Sequence, residues 1–86
     1  MKHFTSAKFW RYFDALPIEI QQQARNNYEL LKQNPHYPSL QLKSVKNGAF
    51  RSVRVSAGYR ELGIPVDQGI QWFWIGNHAD YDKLLT

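Results

Sequence analysis

The chain has 86 residues, the length of a single domain with one hydrophobic core. It contains no cysteine, which excludes disulfide bonds and thiolate metal sites. No charged segment is followed by a long apolar run, so we expect a cytoplasmic protein without a signal peptide and without membrane association. The formal net charge of +4 fits a polyanionic or acidic protein partner as well as it fits a merely soluble surface.

The N-terminal part of the chain predicts two helices that meet at Pro17. The apolar residues of the first helix repeat at the spacing of one helix face: Phe9, Phe13 and Leu16. The second helix is predicted from Ile18 to Gln33, where Asn34 and Pro35 follow and break it. Two helices joined this closely are expected to form an antiparallel hairpin.

The C-terminal part predicts four antiparallel strands and a short final helix. The strands are expected at residues 40–45, 50–55, 59–64 and 70–75, and the helix at residues 79–85. Asn47-Gly48 is typical of a tight hairpin turn between the first two strands, and a minor strand near residues 2–4 is considered as well. The sequence therefore predicts an α+β domain over residues 1–86, with the helical hairpin on one face of a four-stranded antiparallel sheet and polar residues on the open face.

The last predicted strand carries three consecutive aromatic residues, Trp72, Phe73 and Trp74. Strand alternation predicts that Trp72 and Trp74 share one face. We interpret that face as packing under the helices or as part of a groove that binds a partner. His3 and His36 have no partners at metal-ligand spacing, and we interpret both as surface residues.

Four segments, in this order, resemble the RelE/ParE toxin superfamily: NPHYPSL, LKSV, FRSVRVSAGYREL and WFWIGNHADYDKLL. The resemblance covers essentially the whole chain. It implies two N-terminal helices on a twisted antiparallel sheet, a basic strand followed by a Tyr-Arg strand, and a C-terminal segment that completes the site. It also implies the toxin of a bacterial type II toxin–antitoxin pair, with a cognate antitoxin protein as partner.

The superfamily is divided in function, so the resemblance leaves alternatives open. RelE-like members cleave mRNA, most of them on the ribosome, whereas ParE-like members poison DNA gyrase and others are inactive. The leading hypothesis here is a metal-independent endoribonuclease (an mRNA interferase) that binds mRNA, alone or on the ribosome, and uses no cofactor or small-molecule ligand. The alternatives are a non-enzymatic toxin that binds gyrase and an inactive member that only binds its antitoxin.

Three residues match the catalytic positions that the resemblance implies: Arg60, His78 and Tyr81. Metal-free RNA cleavage needs a group that removes the 2′-hydroxyl proton, donors that stabilise the phosphorane-like transition state, and a group that protonates the leaving oxygen. The alternative for Arg60 is an ion pair with Glu61, Asp67 or another carboxylate. His78 could instead cap the last helix, and Tyr81 could pack against the sheet. Asp80 and Asp82 are expected either to orient His78 or Arg60 or to cap the helix.

Four further basic residues are candidates for binding RNA phosphates: Lys43, Lys46, Arg51 and Arg54. Arg54 lies between Val53 and Val55, so alternation places it on the open face of the sheet. For each residue alone, the alternative is a solvated surface charge. As a set on one region of the sheet, they predict a phosphate-binding surface.

Overall fold

The computed structural model describes all 86 residues as an α+β fold. The helices are α1 (Ala7–Asp14), α2 (Ile18–Gln33) and α3 (His78–Leu85), and the strands are β1 (Lys2–Thr5), β2 (Lys43–Val45), β3 (Phe50–Ser56), β4 (Tyr59–Val66) and β5 (Gly69–Asn77). A short 3-10 turn, Pro38–Leu40, precedes β2. None of the three helices is long and apolar enough to span a lipid bilayer.

The sheet has five strands in the order β1-β5-β4-β3-β2, rather than the four predicted. The four C-terminal strands form the expected antiparallel meander. The fifth strand, β1, pairs in parallel with β5, so that Lys2 lies opposite Gly69 and Thr5 opposite Trp72. The sequence suggested only a minor strand at residues 2–4, and its pairing with β5, more than 60 residues later in the chain, has no local sequence signal.

Helices α1 and α2 cover one face of the sheet, which we call the helix face. Ser6 begins α1 because its hydroxyl accepts a hydrogen bond from the Phe9 backbone N–H. The buried core on this face combines residues of both helices and of the sheet: Phe9, Phe13, Ala24, Leu31, Leu40, Val53, Val55, Ile70, Trp72 and Ile75. Asn27 fixes α2 to β3 by donating from its amide to the backbone carbonyl of Val55 at 2.7 Å.

A β-bulge in β5 separates the two tryptophans, so the prediction that they share a face is wrong. Leu62 pairs with Trp74 whereas its neighbour Gly63 pairs with Trp72, which leaves Phe73 as the extra residue. Trp72 therefore lies in the core of the helix face. Trp74 and Phe73 both face the opposite side of the sheet.

That opposite face, which we call the α3 face, is not open as predicted. Helix α3 lies across it and buries Tyr81 against Leu62 and Trp74. The final helix begins at His78 because the Asn77 side chain accepts a hydrogen bond from the Asp80 backbone N–H at 2.8 Å. Helices thus pack on both faces of the sheet.

Replacing Gly69 by alanine is expected to weaken the pairing of β1. A Cβ atom at this position would overlap the backbone of Lys2, so the parallel strand has to move. We expect Gly69→Ala to lower the free energy of unfolding by about 1–3 kcal/mol, measured by urea denaturation. Gly58→Ala is the matched control, because a Cβ there meets no atom within 4 Å. Equal stability of the two variants would contradict this account of β1.

Candidate functional site

Helix α3 crosses its face of the sheet from one end to the other. At its N-terminus, the His78 backbone N–H donates to the carbonyl of Gly58 in the β3–β4 turn at 2.8 Å. At its C-terminus, the Lys46 ammonium in the β2–β3 turn lies 3.4 Å from the carbonyl oxygens of Leu84 and Thr86. The two ends of an eight-residue helix are separated by about 12 Å, so α3 divides the basic residues of this face into two groups.

His78 forms a side-chain pair with Asp82 one helical turn later. Their atoms Nδ1 and Oδ2 are 3.1 Å apart, and both side chains are substantially exposed. When the carboxylate accepts the Nδ1 hydrogen, the neutral imidazole presents Nε2 as an acceptor. The imidazole also packs edge-on against Tyr81, with the ring centroids 5.4 Å apart. Asp82, rather than Asp80, is therefore the aspartate that orients His78.

Arg60 and Arg54 lie directly opposite each other on β4 and β3, so both side chains project from the same face of the sheet. The Arg60 guanidinium donates from Nη1 to the backbone carbonyls of Ser56 at 2.6 Å and Tyr59 at 2.8 Å. It makes no ion pair with a carboxylate. The alternative pairing with Glu61 fails because successive residues of a strand project from opposite faces.

Tyr81 is buried, with 5% of its surface exposed. Its hydroxyl and the Ser52 hydroxyl are hydrogen-bonded at 2.8 Å, and its ring packs against Leu62 and Trp74. This geometry corresponds to the alternative considered from the sequence, in which Tyr81 packs against the sheet. The side chain fixes α3 to β3 and supports the ring of His78.

The four candidate phosphate-binding residues do not form one surface. Arg51 lies on the helix face, because it is adjacent to Ser52 in β3 and pairs with Gly63, and its Nη1 donates to the Ser44 hydroxyl at 3.2 Å. Strand alternation puts Arg51 and Arg54 on opposite faces of β3, so Arg51 is not part of the predicted phosphate-binding surface. Lys46 lies at the far end of α3 from His78. Lys43 pairs with Ser52 and so belongs to the α3 face, at its β2 edge.

The structure thus brings together three of the predicted residues, Arg54, Arg60 and His78, at the end of the sheet where the β3–β4 turn meets α3. It adds Asp82, whose signal in the sequence is its spacing of four residues from His78. No three His, Cys, Asp or Glu side chains are grouped so that they could hold a metal ion. The arrangement combines two guanidinium groups with one oriented imidazole.

Comparison with known families gives a match to the ParE-like toxin domain over residues 19–83. The chain belongs to this family. A search of curated proteins finds no significant match. The family model spans α2, the antiparallel meander and most of α3, and therefore includes all the residues of the candidate site.

Three solved structures of similar fold are described as toxins or as an antitoxin–toxin complex. The RelB–RelE antitoxin–toxin complex from Methanococcus jannaschii matches with a TM-score of 0.71 at 15% identity, covering 96% of this chain and 99% of that chain. The YoeB/ParE toxin from Agrobacterium tumefaciens matches with a TM-score of 0.68 at 14% identity, covering 91% of this chain and 99% of that chain. A copper-bound mutant toxin from Helicobacter pylori matches with a TM-score of 0.65 at 17% identity, covering 93% of this chain and 97% of that chain. At these identities the likeness establishes the fold.

The hydrogen bond between Ser52 and Tyr81 predicts a strongly non-additive pair of substitutions in the ParE-like domain. Ser52→Ala or Tyr81→Phe alone leaves a buried hydroxyl without its partner and is expected to lower the free energy of unfolding by about 1–2 kcal/mol. The double variant is expected to be no less stable than either single variant, because neither unpaired hydroxyl remains. Chemical denaturation of the four proteins measures this coupling. Additive losses would show that the two hydroxyls do not interact.

Proposed function

We propose that this toxin is a metal-independent endoribonuclease that cleaves mRNA at the junction of α3 and the β3–β4 turn. The observation that best supports this function is the exposed His78–Asp82 pair beside the face that carries Arg54 and Arg60. An oriented imidazole next to two guanidinium groups suits attack of a ribose 2′-hydroxyl on the adjacent phosphate.

In the proposed reaction, His78 acts as the general base. Its Nε2 removes the proton of the 2′-hydroxyl while the 2′-oxygen forms a bond to phosphorus. The bond from phosphorus to the 5′-oxygen then breaks, which leaves a 2′,3′-cyclic phosphate and a 5′-hydroxyl end. Asp82 holds the ring through Nδ1 and stabilises the imidazolium that forms, so it acts as a positioning residue.

Arg60 and Arg54 are proposed to bind the scissile phosphate. A guanidinium has five N–H donors in a planar fork that matches phosphate oxygens. The hydrogen bonds of Arg60 to the β3–β4 turn all involve Nη1, so Nε and Nη2 have no protein acceptor. A side chain held at one nitrogen is pre-oriented to donate the others to a negatively charged transition state.

The leaving 5′-oxygen needs a proton, and His78 cannot serve as base and acid in the same step. The Tyr81 hydroxyl is buried and bonded to Ser52, so we assign it a positioning role. This site therefore has one imidazole available for proton transfer, that of His78. We propose that the second group is supplied by the surroundings of the bound mRNA, which makes the ribosome a partner in cleavage.

The proposed protein partner is a cognate antitoxin, as in the Methanococcus jannaschii complex, whose toxin shares this fold. A net charge of +4 favours an acidic segment in that partner. Such a segment would inhibit cleavage by covering the surface around His78, Arg54 and Arg60. Antitoxin segments that are disordered alone and fold on binding can cover a surface of this kind.

Induced expression in bacteria, with growth and mRNA 5′ ends followed together by primer extension, tests the nuclease. The wild type is expected to arrest growth and to generate new mRNA ends. His78→Ala and Arg60→Ala each remove a group used in the transition state and should lower cleavage by about 100-fold or more. Asp82→Asn should lower cleavage less, because it disturbs only the orientation of the imidazole.

Two matched controls separate the site from general effects on the fold. Tyr81→Phe should retain most of the cleavage, because the ring still packs against Leu62 and Trp74 and the lost hydroxyl does not contact RNA in this account. Arg51→Gln should also retain cleavage, because Arg51 lies on the helix face. Arg54→Gln should lower cleavage, because Arg54 lies on the α3 face. Growth arrest with intact mRNA would contradict the nuclease and indicate a protein target such as gyrase. Well-folded wild type that neither arrests growth nor cuts mRNA would identify an inactive family member.

A further inference from the structure

A cavity of about 410 Å³ lies on the helix face, on the opposite side of the sheet from the proposed RNA site. Helices α1 and α2 form one side, and strands β1, β4 and β5 form the other. Its principal lining residues are His3, Phe9, Phe13, Tyr28, Glu61 and Trp72. The volume lies within the range of small-ligand pockets in proteins, about 300–1,000 Å³.

The Glu61 carboxyl is the unusual group in this cavity. Its residue is 8% exposed, and its side chain makes no hydrogen bond or ion pair with any other residue of the chain. Burial raises the pKa of this carboxyl to about 8. A buried carboxylate is stable only with a positive partner, and no basic side chain of the chain forms an ion pair with Glu61.

The walls of the cavity suit a cation that carries an alkyl chain. The Arg25 guanidinium at the cavity already lies 5.0 Å from the centroid of the Phe13 ring, a cation–π distance. His3 adds no charge, because its Nδ1 accepts a hydrogen bond from the Trp72 indole at 3.1 Å. Burial lowers the pKa of His3, and the N-terminal ammonium and Lys32 lower it further. His3, predicted to be a surface residue, is half-buried at this cavity, because β1 pairs with β5 at the edge of the sheet.

We propose that this cavity is a binding site for an alkyl guanidinium or alkylammonium group, whose charge pairs with Glu61 and whose chain packs against the aromatic walls. The same chemistry is offered by a free amine or guanidine and by an arginine or lysine side chain of a polypeptide. The site is independent of RNA cleavage, because Glu61 and Arg60 project from opposite faces of β4. No sequence motif indicated it, and no small-molecule ligand was expected.

Binding of such a cation is coupled to proton release. Near pH 7 the Glu61 carboxyl of the free protein is protonated, because its pKa is about 8, and a cation binds its ionised form. The affinity therefore rises with pH and levels off above the pKa, and binding below the pKa releases close to one proton. The other titratable or charged groups at the cavity are His3, Arg25, Tyr28 and Glu29.

The test is isothermal titration calorimetry of the full chain with butylguanidinium, which stays charged throughout, and with its neutral isostere butylurea. We expect butylguanidinium to bind about tenfold more tightly near pH 9 than near pH 7, with about one proton released near pH 7 in buffers of different ionisation enthalpy. Butylurea should not show either effect. Glu61→Gln, which keeps the shape and removes the charge, should abolish the pH dependence and weaken binding at least tenfold near pH 9.

N-acetyl-arginine methylamide distinguishes the sources of the cation. Binding as tight as that of butylguanidinium supports a polypeptide side chain, and weaker binding supports a free alkyl guanidine or amine. The proposal is overturned if butylurea binds as well as butylguanidinium to the wild type, a comparison that does not depend on the folding of any variant. It is also overturned if a folded Glu61→Gln protein binds butylguanidinium with undiminished affinity and the same pH dependence.

Discussion

The β-bulge at Phe73 is the local feature on which both faces of the sheet depend. Without the extra residue, Trp72 and Trp74 would project from the same side of β5. With it, Trp72 packs beneath α1 and α2 while Trp74 packs beneath α3. An indole is the largest apolar side chain available to a core. The single β-bulge therefore gives each of the two hydrophobic cores one tryptophan.

The position of His78 follows from this packing. The Tyr81 ring rests on Trp74 and its hydroxyl is bonded to Ser52, so α3 has one register on the sheet. The Asn77 cap and the bond from the His78 N–H to Gly58 place the first residue of α3 at the β3–β4 turn. A buried tyrosine thereby brings an exposed imidazole to the strands that carry the two arginines.

The two faces also differ in electrostatic character. The α3 face combines guanidinium groups with an imidazole, and this is the face for which we propose RNA binding. The helix face contains a buried carboxyl among aromatic rings and suits a cation. Because neighbouring residues of β4 alternate between faces, Arg60 and Glu61 lie on opposite faces although they are adjacent in sequence, so each of the two proposed sites contains one of them.

Local patterns predicted much of this fold. Helices α1 and α2, the antiparallel meander and the final helix all follow from apolar periodicity and turn residues. The parallel pairing of β1 and the bulge did not, because the first depends on a contact across nearly the whole chain and the second interrupts the alternation used for prediction. The same limit affected the site: the opposite faces of Arg51 and Arg54 follow from register, and the burial of Tyr81 depends on how α3 crosses the sheet.

The chemistry of the cleaved RNA tests the central proposal most directly. A defined mRNA on ribosomes, cut by the wild type, would be compared with the same mRNA carrying a 2′-deoxyribose immediately 5′ of the cleavage site. The account predicts 5′-hydroxyl ends on the normal substrate and no cleavage of the deoxy-substituted one, because the 2′-oxygen is the nucleophile. Cleavage of the deoxy-substituted mRNA, or products with 5′-phosphate ends, would contradict the role assigned to His78.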